Sequence, residues 1–144
     1  MKNVLVSACL LGERCRYDGC SKPNEVVINK LKGHNIIPIC PEVMGGLPTP
    51  RCPSEIVGDR VLMENGTDVT LEYNKGAQIA LNLAIENQCD LAVLKARSPS
   101  CGKGFVYDGT YSKTLTKGNG ICANLLIKNG LVVLDEREIE GIDL

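Results

Sequence analysis

Near-continuous apolar runs at residues 4–8, 35–39, 91–94 and 131–134, each bounded by polar positions, read as short strands covered on both faces. The stretches between them carry a helical period. Asn24 is placed to cap a helix running through Val26, Val27, Ile28 and Leu31, with Gly33 as its stop. A longer helix starts at Asp68 or Thr70 and continues to about Asn87 through Ala77, Ala80, Leu81, Ala84 and Ile85. A last one spans residues 118–129, with Ile121, Cys122, Leu125 and Leu126 on one face and Gly130 closing it. Asn65-Gly66 within residues 60–69 and Asp108-Gly109 within residues 105–111 predict two β-hairpins. Residues 41–53, dense in Pro and Gly, predict an ordered, pocket-shaping loop rather than a helix.

This order predicts one α/β domain over residues 1–144. It has a mainly parallel four-stranded sheet, helices on both faces in the doubly wound, flavodoxin-like manner, and hairpins at its margin. In such sheets ligands collect beyond the carboxyl ends of the strands. Residues 9, 40 and 101, all cysteine, stand there.

Composition narrows the function. With 16 basic against 17 acidic residues and 3% aromatics, neither a basic footprint nor a stacking platform for single-stranded nucleic acid is evident, so no dedicated nucleic-acid binding is expected. No run is long enough for a membrane span, and the apolar segment after Lys2 is too short for a secretory leader, so a cytoplasmic location is expected. Eight cysteines in a reducing compartment point to metal or catalysis rather than to disulfides.

Cys9, Cys40 and Cys101 each close an apolar run and open a Gly- or Pro-containing loop, so they are expected to share one metal or cluster site. Their wide spacing matches no compact zinc or ferredoxin signature. Cys15, between Arg14 and Arg16, is the rival ligand; Cys20 and Cys52 are further thiols near these loops. Cys89 and Cys122 fall at helical positions and read as packing residues. The single histidine, His34, belongs to the opposite end of the sheet, which excludes a histidine-based triad. Acid–base work therefore falls to a carboxylate, and Glu42, two residues after Cys40, is best placed, unless it pairs with Arg51. Ser98 and Ser100 offer hydroxyls beside Cys101, or simply cap their loop. The glycines before the last helix form no dinucleotide fingerprint, although that helix start is a candidate anion site.

Taken in order, Ser7-Ala8-Cys9-Leu10-Leu11-Gly12, Cys15-Arg16-Tyr17-Asp18-Gly19, Cys40-Pro41-Glu42-Val43, Gly45-Gly46-Leu47, Pro50-Arg51 and Lys95-Ala96-Arg97-Ser98-Pro99-Ser100-Cys101-Gly102 resemble the thiouracil desulfurase (TudS) family across essentially the whole chain. The resemblance implies a [4Fe-4S] cluster on Cys9, Cys40 and Cys101 with one iron free of protein ligands. It also implies non-redox removal of sulfur from 2-thiouracil or a related thiolated pyrimidine. By the same motifs Glu42 matches the catalytic glutamate, and Ser98 is preferred to Ser100 as the catalytic serine, with Ser100 then expected to touch substrate. Two other classes remain open: a closed structural zinc module, and a sulfur carrier working through exposed thiols.

Overall fold

The computed structural model describes residues 1–144. Its centre is a parallel sheet of four strands: β1 (Asn3–Ser7), β2 (Asn35–Ile39), β5 (Leu91–Leu94) and β8 (Val132–Asp135), in the order β2-β1-β5-β8. Val4 pairs with Ile36 on one side and Leu91 on the other, and Leu91 in turn pairs with Val132. The unbroken apolar runs have the cause expected of them. Val4, Val6, Leu91 and Val93 pack on one face against Val27 and Leu31, while Leu5, Ala92, Leu94 and Val133 pack on the other against Ala77, Ala80 and Leu126. Each fully buried aliphatic side chain contributes about 1.5–3 kcal/mol.

Helix α1 (Glu25–Lys30) lies on the first face, its N-terminus capped by Asn24, whose side chain accepts from the Val27 N–H at 3.1 Å. Helices α3 (Thr70–Glu86) and α4 (Ile121–Lys128) cover the second. Ile85, expected on the buried stripe of α3, is instead 64% exposed: the small side chains of Ala77, Ala80 and Ala84 face the sheet, and it stands clear of them. Because the order reverses between β1 and β5, the chain leaves these neighbours toward opposite faces and a crevice opens at their carboxyl ends.

Two expectations need correction. Residues 41–53 are not all loop: Pro41–Met44 form a helical turn, α2, because proline at the first helical position loses no hydrogen bond the helix needs. Nor is the first hairpin built around Asn65-Gly66. Its strands are β3 (Ser54–Val57) and β4 (Arg60–Met63), and the reversal is at Gly58-Asp59, where Gly58 takes φ +65°. Asn65-Gly66 makes the next turn, whose return leg pairs only at Leu62 and Asp68 before α3 begins. The second hairpin, β6 (Phe105–Tyr107) with β7 (Leu115–Lys117), forms around a wider loop than expected. No helix is long and apolar enough to cross a membrane.

Candidate metal centre and catalytic cavity

The crevice is a cavity of about 600 Å³ at the carboxyl ends of β1, β2 and β5, and Cys9, Cys40 and Cys101 all line it, as does Cys15. Cys20 and Cys52 do not. Cys9 stands in the single 3-10 turn that follows β1, where its carbonyl accepts from the Gly12 and Lys22 N–H groups. Cys40 is the residue before the first turn of α2. Cys101 is fixed by Ser98, whose Oγ accepts from the Ser100 and Cys101 N–H groups at 3.0 and 3.1 Å. Gly102 is needed there, because a Cβ would stand 2.7 Å from the Ser98 carbonyl oxygen.

The same loop meets α4. Its Pro99 and Ser100 carbonyls accept from Ile121, Cys122 and Ala123, so the first amides of α4 are satisfied within the protein and the candidate anion site is closed. Ser100 is thereby anchored against the helix, with its hydroxyl buried and without a partner. Ser100, expected to touch substrate, does not itself line the cavity, although its neighbours Pro99 and Cys101 do. Ser98 does line it. With two N–H groups already on its oxygen, Ser98 has its O–H left to donate.

Burial pushes the Cys9 thiol up to about 11, aided by neighbouring Cys40 and opposed by Lys95 and Arg16. Burial also holds Cys101 well above the usual thiol range, against the effect of the Ser7 hydroxyl beside it. Cys40 goes the other way, down to about 7, chiefly because the Cys15 thiol donates to it and secondarily because the Val43 N–H does, in opposition to its burial. Cys15 rises correspondingly, as the holder of the shared proton. When protonated, Cys40 instead reaches the Cys15 carbonyl at 3.6 Å. In iron-free protein the thiolate is the nucleophile, so alkylation of Cys40 by iodoacetamide rises through pH 7, while Cys9 and Cys101 stay unreactive until far more alkaline conditions. Peptide mass mapping across a pH series reads this directly; half-maximal labelling of Cys40 near the ordinary thiol value of about 8.5 would contradict it.

Glu42 carries the ion pair that sequence reading set against its catalytic role: Oε1 accepts from Arg51 Nε at 3.1 Å. Arg51 engages only Oε1, and the Tyr73 hydroxyl stands next to the carboxylate and to Ser54. On the opposite wall Lys95 Nζ lies 2.7 Å from Glu136 Oε2, and Glu136 Oε1 accepts from the Ala96 N–H at 2.7 Å. His34 is remote, its Nδ1 accepting from the Lys2 N–H.

Sequence reading missed the tyrosines. All four in the chain, Tyr17, Tyr73, Tyr107 and Tyr111, line this one cavity. Their low number concealed their concentration, and no local motif connects them.

The donor set is chemically suited to iron and sulfur. Soft thiolates dominate it, and no three cysteine, histidine or carboxylate groups converge closely enough to hold a single ion. Several thiols on the wall of one cavity are the soft donors that an iron–sulfur cluster takes.

A family model described as 2-thiouracil desulfurase matches residues 4–138. The chain belongs to that family. It is 38% identical over 149 aligned positions to an uncharacterized protein, YbbK, of Bacillus subtilis (strain 168), across 96% of this chain and 99% of that one. It also superposes with a TM-score of 0.91 on a solved structure described as the [4Fe-4S]-dependent thiouracil desulfidase TudS, at 40% identity, covering 96% of this chain and 93% of the other. The family and the superposition agree with the α/β fold and with the iron–sulfur reading, against the zinc and carrier alternatives.

Proposed function

We propose that this chain is an iron–sulfur-dependent desulfurase that converts 2-thiouracil, or a closely related thiolated pyrimidine, and water into the oxo-pyrimidine and hydrogen sulfide, with no net redox change. Cys9, Cys40 and Cys101 would hold the [4Fe-4S] cluster. When bound, the cluster supplies a Lewis-acidic iron suited to a soft thiocarbonyl sulfur. The observation that carries the proposal is the meeting of these three thiols with Glu42 and Ser98 on the wall of one cavity.

Each residue has a task set by its surroundings. Glu42 takes a proton from the water that attacks the thiocarbonyl carbon, at Oε2, because Oε1 is engaged by Arg51. It returns that proton to the sulfur as the C–S bond breaks, and the added hydroxyl gives up its own proton through the same carboxylate as the C=O bond forms, so sulfur leaves as hydrogen sulfide and the carboxylate ends as it began. The Ser98 O–H, held at a fixed position by the two amides its oxygen accepts, donates to charge developing on the substrate. The tyrosines give the pyrimidine a partly apolar enclosure that limits access of bulk water. The chain is proposed to act as one domain, in the cytoplasm, on a small molecule.

Protein purified without oxygen is expected to be brown, to contain iron and acid-labile sulfide in equal amounts, and to release sulfide from 2-thiouracil. Colourless protein with undiminished sulfide release would overturn the proposal. Zinc in place of iron, with unfolding on chelation, would move it to the structural class.

A further inference from the structure

Arg51 makes more directed contacts than any other side chain around the cavity. Its side chain is only 3% exposed. Nε donates to Glu42 Oε1 at 3.1 Å, Nη1 to the Pro48 carbonyl at 3.1 Å and Thr49 Oγ1 at 3.0 Å, and Nη2 to the Cys15 carbonyl at 2.9 Å. Its own backbone N–H donates to the Tyr17 carbonyl at 2.7 Å. One residue thus grips the loop that carries Cys9 and Cys15 and the segment that carries Cys40 and Glu42, and it does so through a rigid planar fork whose donors have fixed mutual angles.

We infer that Arg51 is a positioning residue for desulfuration: its buried guanidinium sets where the Glu42 carboxylate stands relative to the thiol-bearing loop across the cavity. This rests on the reading that Glu42 carries the proton. Glu42 lies in the one-turn helix α2, and its long side chain gives the carboxylate several rotamers to choose from. A proton carrier must meet the attacking water at hydrogen-bond distance, and a displacement of about 1 Å costs on the order of a hundredfold in rate. Arg51 takes away that freedom by holding Oε1, and the proton is left to Oε2. Lysine cannot substitute, because an ammonium that reaches Glu42 has no planar second arm for the Cys15 and Pro48 carbonyls.

The test uses anaerobically prepared enzyme carrying Arg51→Lys or Arg51→Gln, each alone and combined with Glu42→Gln. Iron content, unfolding temperature, KM and kcat for 2-thiouracil are measured, with single-turnover rates for the slow variants. Iron content per folded protein is expected to stay at the wild-type value and unfolding temperature to fall by roughly 5–10 °C, because the buried Glu42 carboxylate and the Cys15 and Pro48 carbonyls lose their partner, while at an assay temperature well below unfolding kcat falls roughly a hundredfold and KM moves less than about threefold. In the Glu42→Gln background the same Arg51 substitutions are expected to change the residual rate by less than about twofold, since a residue that acts through Glu42 has nothing left to act on.

Equal losses in both backgrounds would overturn the inference, as would unchanged kcat, or a loss fully accounted for by lost iron or by unfolded protein at the assay temperature. Those outcomes leave the desulfurase reading intact if the wild type releases sulfide and Glu42→Gln does not. A wild type without sulfide release, or a fully active Glu42→Gln, refutes that reading itself and the positioning role with it.

Discussion

Cys101→Ala is expected to abolish both the bound iron and sulfide release, whereas Glu42→Gln keeps the iron and loses turnover by a factor on the order of 10²–10⁴. The two losses separate because the residues occupy different parts of one cavity wall. Cys101 is 6% exposed, its loop is pinned by the Ser98 hydroxyl, and its removal takes away one of the three proposed cluster ligands. Glu42 presents a carboxylate to the cavity and is held by Arg51, so exchanging it for an amide leaves the thiols in place. Glutamine keeps the hydrogen-bonding shape but cannot accept the proton. Iron analysis beside a sulfide assay distinguishes the cases; a Cys101→Ala protein with full iron, or a Glu42→Gln protein that turns over normally, would break the assignment.

Gly76→Ala is expected to destabilise the fold by about 2 kcal/mol or more and to disable the site together with it. Gly76 lies where α3 crosses α2, and a Cβ there would stand 1.7 Å from the Pro41 carbonyl oxygen and 2.6 Å from the Pro41 carbonyl carbon. From the other side, Gly45 would place a Cβ 1.9 Å from the Glu72 carbonyl oxygen. Alanine does favour a helix over glycine by about 1 kcal/mol, but backbone atoms cannot rotate out of the way, so the overlap outweighs the propensity. Relief requires α2 to move away from α3, and α2 carries Glu42 directly after Cys40. Thermal unfolding should shift down by roughly 5–10 °C with iron content reduced. The control is Gly141→Ala, where nothing lies within 4 Å of the added carbon; equal behaviour of the two variants would refute the argument.

The sheet was legible because the strands at residues 3–7 and 91–94 are buried on both faces, and double burial writes a continuous apolar run. The thiols were legible through the topology: a cysteine at the end of three parallel strands has one crevice to enter. Locally governed features were harder. The α2 turn is one turn long, too short to print a period, and Pro41 argued for a loop until its place at the first helical position was known. At the first hairpin the Gly58-Asp59 signal was present but weaker than Asn65-Gly66, and which turn joins paired strands is decided by where α3 packs. Arg51 was foreseen only as a salt-bridge partner for Glu42; its hold on the Cys15 carbonyl, 36 positions earlier, depends on two loops meeting and has no linear trace.

The strand that delivers Cys101 docks between β1 and β8, although β1 and β2 are synthesised long before it. A growing chain therefore presents at most two of the three thiols until its central strand has been inserted. Iron arriving earlier would find an incomplete set of the proposed ligands. For the proposed ligands this is the reverse of a zinc finger, where capture of the metal is the folding step: here the shaped crevice comes before the cluster.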